Sequence, residues 1–512
     1  MIALDPIPRP IDHLPARGAA DAVALVDRTG TMTFAALEAA VSAVAGWLAT
    51  RGLAPGDRVA TWLPKTRLAC VMPLATARAG LVHVPVNPAL RRAQVAHILS
   101  DSGAMLLVTQ AARAGTLDAG DVPPGCDVAD ETAVPMAGED GMAPSSADPD
   151  ALAAILYTSG STGRPKGVML SHANLWIGAI SVAHYLGLEP GDRVLGVLPL
   201  SFDYGQNQLF STWAAGASVA PLDYLTARDV VKAVERVGAT TLAGVPPLWV
   251  QLLEADWPAE TAARLTRLTN SGGALTLPLV RGLRARFASA DLYAMYGLTE
   301  AFRSTYLAPQ LIDAHPDAMG RAIPFAAVTV RRADGTEAAV GEPGELVHAG
   351  PLVAQGYWRD AERTAERFRR VPAALGSGAG MAVWSGDTVI EGADGLLRFV
   401  GRDDEMIKSA GNRISPLEVE EAVLAGGEAH EAVAVGVPDA RLGQAISVML
   451  SGDAAGEAAL RARLRTALPS FMQPGAYLWR HELPRNANGK LDRSAIAAEV
   501  RSWSAADKEG AQ

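Results

Sequence analysis

Cysteine is nearly missing from this chain: Cys70 and Cys126 are the only two among 512 residues, and they form no C-x-x-C pair. That excludes a disulfide framework and a thiolate metal site, and makes a reducing, cytoplasmic location the expectation. Long hydrophobic runs are missing too. No stretch approaches the ~18 consecutive apolar residues that a transmembrane helix needs. The opening MIALDPIPRPIDHLP has no basic start followed by a hydrophobic block, so a secretory signal is not expected. Nor is there an excess of positive charge. A net charge of −10 and a pI near 5.5 argue against a general electrostatic grip on nucleic acid or anionic lipid. An anionic ligand must therefore be held by a few local groups.

Lysine is also scarce, with six against thirty-nine arginines. Arginine is a broad planar fork and lysine a slim, mobile point charge, so a site that must set one ammonium beside a reacting oxygen does not accept arginine. The surviving lysines are then informative, and Lys166, Lys408 and Lys490 stand out for the segments around them.

What is present is the composition of a folded globular protein: 49% apolar residues, 20% charged residues and a mean hydropathy of +0.13. At ~150 residues per domain the length corresponds to roughly three compact units. The segment 23–27 (VALVD) reads as a strand. Phe34, Leu37, Val41, Val44 and Leu48 then follow helical spacing until Gly52, and 58–64 (RVATWLP) reads as a second strand. A stretch from about 114 to 150, rich in Gly, Pro, Asp and Ser, reads as a surface excursion or a subdomain boundary. Strands and helices alternate onward to about residue 400, the mark of mixed α/β layers. From Gly401 a smaller α+β pattern follows: helix 417–425, strands 432–437 and 445–450, helix 457–468, strand 476–481 and helix 491–502. The expectation is an α/β protein with a large N-terminal domain over 1–400, built of several subdomains, and a small C-terminal domain over 401–512. No solenoid or propeller repeat is present, and neither Gly-Gly pair precedes a serine as in a phosphopantetheine attachment site.

The most informative segment is Tyr157-Thr-Ser-Gly-Ser-Thr-Gly-Arg-Pro-Lys-Gly167. Gly160 and Gly163 allow backbone N–H groups to approach phosphate oxygens closely; Thr158, Ser159, Ser161 and Thr162 add hydroxyls, and Lys166 adds charge. A solvated Gly/Ser linker would not need the apolar runs that flank this loop, ALAAILY at 151–157 and VML at 168–170. The common P-loop motif needs Gly immediately before its Lys and Ser or Thr after it, whereas Pro165 and Gly167 stand there.

This loop resembles the phosphate-binding signature of the AMP-forming adenylating enzymes: the acyl-CoA synthetases, the adenylation domains of nonribosomal peptide synthesis, and the firefly luciferases. Further segments resemble that family's motifs in order and spacing: Asn270-Ser-Gly-Gly-Ala274, Tyr293 to Glu300, Gly344-Glu-Leu-Val, Gly356-Tyr-Trp, Ser385-Gly-Asp387, Gly401-Arg-Asp-Asp404, Lys408 to Glu418, and Asn488-Gly-Lys490. The resemblance covers about residues 20–500. It implies a large adenylating domain and a small mobile domain, with ATP, Mg2+, a carboxylic acid and a pantetheine thiol as ligands. By resemblance Lys166, Thr158, Ser159, Gly160, Ser161, Thr162 and Gly163 hold the phosphates. Thr299 bonds the α-phosphate and Glu300 binds magnesium. Gly272, Gly273, Ala274, Tyr296 and Gly297 wall the adenine, while Asp387 and Arg402 take the ribose. The resemblance makes Lys490 the catalytic lysine that reaches between carboxylate and α-phosphate, and Asp404 the hinge. Lys408 and Gly411 then belong to the face that opens a tunnel for the thiol. Each taken alone has an ordinary structural reading: Tyr296 a core aromatic, Asp387 a turn former, Lys490 a solvated turn lysine, and Asp404 part of an exposed acidic cluster.

Ser201-Phe-Asp-Tyr-Gly-Gln-Asn-Gln-Leu-Phe210 departs from the common acyl-CoA synthetase pattern, in which an aromatic-His pair stands near Pro199-Leu200. Phe202 and Asp203 resemble instead a segment of the amino-acid-activating relatives whose Asp holds the substrate ammonium. The bland reading of Asp203 is a helix N-cap; both readings stand. The expected activity is AMP-forming synthesis of an acyl-CoA from a carboxylic acid. The alternatives are an amino-acid ligase that loads a separate carrier protein and a non-catalytic adenylate-binding protein. No nucleic-acid partner is expected.

Overall fold

Apolar runs such as Leu152–Thr158 and Ala104–Thr109 have no polar face to offer water, and in the computed structural model both become largely buried strands. The structure describes residues 2–138, 140–158, 165–273, 275–372, 380–402, 406–409, 412–439, 442–468, 472–487 and 489–509; the side chains of 402, 408, 412, 413 and 505–509 lie outside the description.

Among the described residues the strands form three sheets. In the first, Arg58–Trp62 lies parallel between Val82–Pro85 and Ala104–Thr109, while Leu152–Thr158 pairs antiparallel with Lys166–Ser171. The expected strand at 58–64 therefore ends two residues early. The expected excursion at 114–150 is not a boundary. It supplies the edge strand Asp127–Asp130, parallel to Ala104–Thr109. Its far end is tied back, because the Ser145 amide and hydroxyl donate to the Asp12 carboxylate at 2.9 and 2.8 Å. Asp12 also meets Arg78, whose guanidinium bonds the Asp12 carboxylate and carbonyl, Glu38 and the Met142 carbonyl. Sequence periodicity carries no trace of such long-range ties.

The second sheet has 14 strands. At its centre Thr241–Gly244, Arg267–Asn270 and Asp291–Tyr296 run parallel and in register, so the loops leaving their C-terminal ends, at Val245, Ser271 and Gly297, emerge side by side. In open α/β sheets ligands gather at such ends. The helix Phe34–Ala49, expected from the periodicity, is capped by the Thr33 hydroxyl, which accepts from the Ala36 amide at 3.1 Å.

The second sheet's strand Leu397–Arg402 and the third sheet's Ile407–Ser409 are consecutive in the chain. The third sheet and its helices have apolar cores of their own. Their elements fall close to the expected ones: helix Pro416–Leu424, strands Ala429–Asp439 and Gly443–Gly452, helix Glu457–Ala467, strand Ala476–Arg480 and helix Arg493–Glu509. The short hairpin of Ile407–Ser409 with Asn412–Ile414 was not expected, since three-residue strands leave no readable alternation. Among the described residues no helix is long and apolar enough to cross a membrane. The whole is a mixed α/β protein with a large N-terminal and a small C-terminal domain.

Candidate active site

Lys166 begins its strand opposite Thr158 in the antiparallel pair, so the ends of the phosphate-loop signature are held by a β-ladder. Its ammonium donates to Glu300 Oε1 at 3.0 Å and to the Tyr357 hydroxyl at 2.8 Å. The Tyr357 hydroxyl in turn donates to the same Oε1 at 2.6 Å. Burial pushes the Glu300 carboxyl up, but Lys166 and the Tyr357 hydroxyl outweigh it and leave the group below its ordinary range. Burial draws the Lys166 ammonium down, against the pull of Glu300. Tyr357 belongs to the Gly356-Tyr-Trp motif, where the sequence signalled the segment without the role.

Glu300 lies in a one-turn helix, Thr299–Ala301, that ends abruptly. Phe302 takes φ 57° and ψ −57°, and the Arg303 amide bonds the Ala301 carbonyl at 2.6 Å. This is a tight γ-turn of the rare, strained hand, costing about 1–3 kcal/mol. Burial of the Phe302 ring holds it: a Cβ on Gly178 would lie 2.4 Å from the ring. Gly297 is close-packed in the same way, with space for a Cβ blocked by the Arg303 Cα at 2.9 Å.

Asp387 and Arg402, the expected ribose contacts, are register partners in adjacent antiparallel strands. The Tyr296 hydroxyl donates to Asp387 Oδ2, which ties the expected adenine wall to the expected ribose acceptor. Behind the neighbouring turn, Asn270 Nδ2 donates to the Gly273 carbonyl at 2.9 Å.

Lys490 arrives from the small domain. The loop that carries it is closed by the Asn486 amide on the Lys490 carbonyl at 2.8 Å and by the Lys490 amide on Asn486 Oδ1 at 3.1 Å. Gly489, at φ 77°, makes the turn. Asn87 of the large domain donates through Nδ2 to the Ala487 carbonyl at 2.9 Å, a contact with no local sequence signal. Lys490 Nζ then stands 4.3 Å from the centre of the Phe202 ring and beside Gly272.

Asp203 is 5% exposed. It is not the N-cap; Phe202 holds that position and no side chain makes a cap bond. Instead Asp203 Oδ1 accepts from the Thr299 hydroxyl at 3.5 Å. Burial pushes its carboxyl above the ordinary range, opposed by Arg303, Lys490 and the Tyr204 amide. Phe202, Asp203, Thr299, Glu300, Gly272 and Lys490 are thus brought to one place, with Lys166 joined through Glu300 and Gly273 through the Ser271–Gly273 turn. Thr158 is placed at the strand end, with its Oγ1 buried and without a hydrogen-bond partner among the described residues. Ser159, Gly160, Ser161, Thr162, Gly163, Ala274, Asp404 and Gly411 lie outside the described residues, as do the side chains of Arg402 and Lys408.

Among the described residues no cluster of three or more His, Cys, Asp or Glu could enclose a metal. Glu300 Oε1 accepts from both Lys166 and Tyr357. One carboxylate, joined to the lysine at the end of the expected phosphate loop, fits Mg2+, which takes few protein ligands and keeps substrate phosphates and water.

A model of the AMP-binding enzyme matches residues 13–358, and a model of the AMP-binding enzyme C-terminal domain matches 418–490. The L-proline--[L-prolyl-carrier protein] ligase of Pseudomonas fluorescens is 30% identical over 93% of this chain and 96% of its own length. A linear gramicidin synthase polypeptide of Brevibacillus parabrevis is 32% identical over 93% of this chain, which spans only 6% of that protein. Among solved structures, ATP-bound MatB from Rhodopseudomonas palustris superposes with a TM-score of 0.89 at 27% identity, over 97% of this chain and 100% of that one. MenE, the o-succinylbenzoate-CoA synthetase of Bacillus subtilis, in complex with ATP and magnesium, gives 0.82 at 25% identity over 96% and 99%. The chain therefore belongs to the AMP-binding enzyme family, the adenylate-forming ligases.

Proposed function

We propose that the protein is an AMP-forming acid–thiol ligase that activates a carboxylic acid with ATP and passes the acyl group to the thiol of CoA. The observation that carries this reading is the position of Lys490, delivered by the small domain to Phe202 and Gly272 at the edge of the large domain's site. In the first half-reaction a carboxylate oxygen bonds the α-phosphorus of ATP and the bond to pyrophosphate breaks. Two anions must meet, so the work of the protein is to spread negative charge where it converges. Lys490 serves the carboxylate and α-phosphate oxygens, the Thr299 hydroxyl the α-phosphate, and Lys166 with Thr158 the outer phosphates. Glu300 is the residue that would hold Mg2+, which supplies Lewis-acid neutralisation of the phosphates when bound. Tyr296 and Gly297 with the Gly272–Gly273 turn suit the adenine, and Asp387 with Arg402 the ribose.

In the second half-reaction the thiol displaces AMP from the acyl carbon. Lys490 must first leave, and rotation about Asp404, between the strands that end at Arg402 and begin at Ile407, would bring the face with Lys408 and Gly411 to the site. The division into a domain of 1–400 and a domain of 401–512 follows the same break.

A second reading, an amino-acid ligase loading a separate carrier protein, is favoured by Asp203. A buried carboxylate pushed upward by desolvation gains from a substrate ammonium, and the proline ligase is a relative of nearly equal length.

The test is exchange of labelled pyrophosphate into ATP, dependent on fatty, aryl or amino acids, for wild type, Lys490→Ala and Asp203→Ala. Lys490→Ala should lose roughly 10²-fold or more in rate. Exchange with amino acids that disappears in Asp203→Ala favours the second reading, and exchange with plain acids that survives it favours acyl-CoA synthesis. Silence of wild type across the whole panel would leave a non-catalytic adenylate-binding protein.

A further inference from the structure

Lysine is scarce in this chain, six residues in all, and Lys65 is buried away from the phosphate loop. Its side chain is 7% exposed. The ammonium donates to the Val197 carbonyl at 2.9 Å, the Leu222 carbonyl at 2.7 Å and Asp223 Oδ1 at 3.2 Å. The Lys65 amide donates to the other oxygen of Asp223 at 2.8 Å. An ammonium has three N–H groups, and here all of them are spent on protein. Lys65 is therefore complete without a ligand. Its acceptors converge on one point from two loops and a side chain, an arrangement that a compact ammonium serves and a planar guanidinium does not.

What Lys65 joins is the first sheet to the second. It lies just beyond the strand Arg58–Trp62 of the first sheet. Val197 and Leu222 are the first residues beyond the parallel strands Arg193–Gly196 and Ser218–Pro221 of the second. The Lys490 loop lands on the same seam from both sides. On the first-sheet side Asn87, just past Val82–Pro85, the parallel neighbour of Arg58–Trp62, donates to the Ala487 carbonyl at 2.9 Å. On the second-sheet side Tyr224 follows Asp223 and feels the charge of Arg485, which bonds the Gly489 carbonyl at 3.3 Å beside Lys490. Val197 leads to Pro199, whose carbonyl accepts from the Phe202 amide at 3.1 Å, and the Phe202 ring meets the Lys490 ammonium. A single buried ammonium thus pins together the parts of both sheets that receive the catalytic lysine.

We propose that Lys65 is a positioning residue for the first half-reaction, holding the two sheets at the spacing at which Asn87, Tyr224 and Phe202 receive the Lys490 loop together. It acts through the place where Lys490 comes to rest, not through contact with ATP or the acid. This assignment rests on the ligase reading above. In the second half-reaction Lys490 has withdrawn, and the spacing of the seam no longer sets the rate.

The test is the single-turnover rate of adenylate formation, and separately of thioester formation from the preformed adenylate with pantetheine. The acid is the member of the fatty, aryl and amino-acid panel that gives the fastest wild-type exchange. Lys65→Met keeps the length of the side chain and removes its charge. It should slow adenylate formation by roughly 10- to 10²-fold, with KM for ATP and the thiol step unchanged. Asp223→Ala alters a half-exposed side chain and should show the same split to a smaller degree, so it decides the matter if Lys65→Met does not fold. Combining Lys65→Met with Asn87→Ala should cost little more than Lys65→Met alone, because both act on one landing. Arg67→Met removes a neighbouring tie to the second sheet, from Arg67 Nε and Nη2 to Asp27 at 2.7 and 2.9 Å, and should leave the two rates in their wild-type ratio. Equal slowing of both half-reactions with a lower Tm would make Lys65 purely structural and overturn the assignment. So would the same split in Arg67→Met, or full adenylation in folded Lys65→Met. Each of these leaves the ligase reading intact, whereas a wild type silent with the whole panel overturns both.

Discussion

Gly272 and Lys490 are matched by shape: a Cβ on the glycine would lie 2.5 Å from the lysine Cε and 2.6 Å from its Nζ. The glycine also has φ 78°, a conformation that side chains resist. Gly272→Ala should therefore push the ammonium from its place and lower adenylation at least tenfold, with a stability loss of about 1 kcal/mol from the backbone. Pyrophosphate exchange and thermal melting check the two effects separately. Full activity in a folded variant would mean that Lys490 works from another position.

The Asn87 to Ala487 hydrogen bond is one strut that joins the large domain to the Lys490 loop. A hydrogen bond of this kind contributes about 0.5–1.5 kcal/mol, so Asn87→Ala should slow adenylation by roughly two- to tenfold. The thiol step, in which Lys490 must withdraw, should be spared. Single-turnover rates for each half-reaction distinguish this from general damage, which would slow both.

Asp203 ties stability to pH. Burial raises its folded pKa above the ordinary 3.8, so between those values the folded chain holds a proton that the unfolded chain has lost. Stability from this group falls as pH rises through that interval, and the full cost remains at neutral pH. Asp203→Asn should melt at or above the wild-type temperature at pH 7, and the gap should close as the pH approaches 3.8. A gap that widens toward acid would contradict the assignment of burial as the dominant influence.

Arg78 predicts an effect on stability without one on specificity. Its side chain and that of Asp12 are wholly buried, and removing one member of such a pair leaves an uncompensated charge, at about 3–5 kcal/mol. Arg78→Met should lower the midpoint of urea unfolding markedly, whereas the substrate ratios of the remaining folded enzyme should not change. A shift in those ratios would show that the first sheet and the site are mechanically joined.

Much of the candidate site was legible because the residues expected to form it are grouped in contiguous segments. A phosphate-binding signature gathers glycines, hydroxyls and a lysine within one short segment, so Thr158 to Lys166 stood out as a candidate in the sequence, as did Tyr296 to Glu300 and the Asn-Gly-Lys segment at Lys490. The alternation of strands and helices, and the smaller pattern after residue 400, follow from periodic burial that any window of sequence displays.

Other decisions belong to the tertiary structure. Whether Asp203 caps a helix or faces Thr299 depends on where the Phe202 backbone bends and on which loop the second sheet sets opposite it. The edge strand Asp127–Asp130 pairs because Ala104–Thr109 offers an open edge, although its own residues, Asp-Val-Ala-Asp, are a weak strand. Arg303 was one arginine among thirty-nine, and nothing beside it in the chain marks it. Its surroundings, the turn at Phe302, the ring of Tyr204 and the hydroxyl of Ser271, are drawn from separate strands and loops. The sequence by itself determined the chemistry of ATP and the class of fold, since both are written in local patterns. Only the folded chain decided what stands around Asp203 and Lys490, because those surroundings are made of residues distant in sequence whose charges and shapes meet when the sheets are assembled.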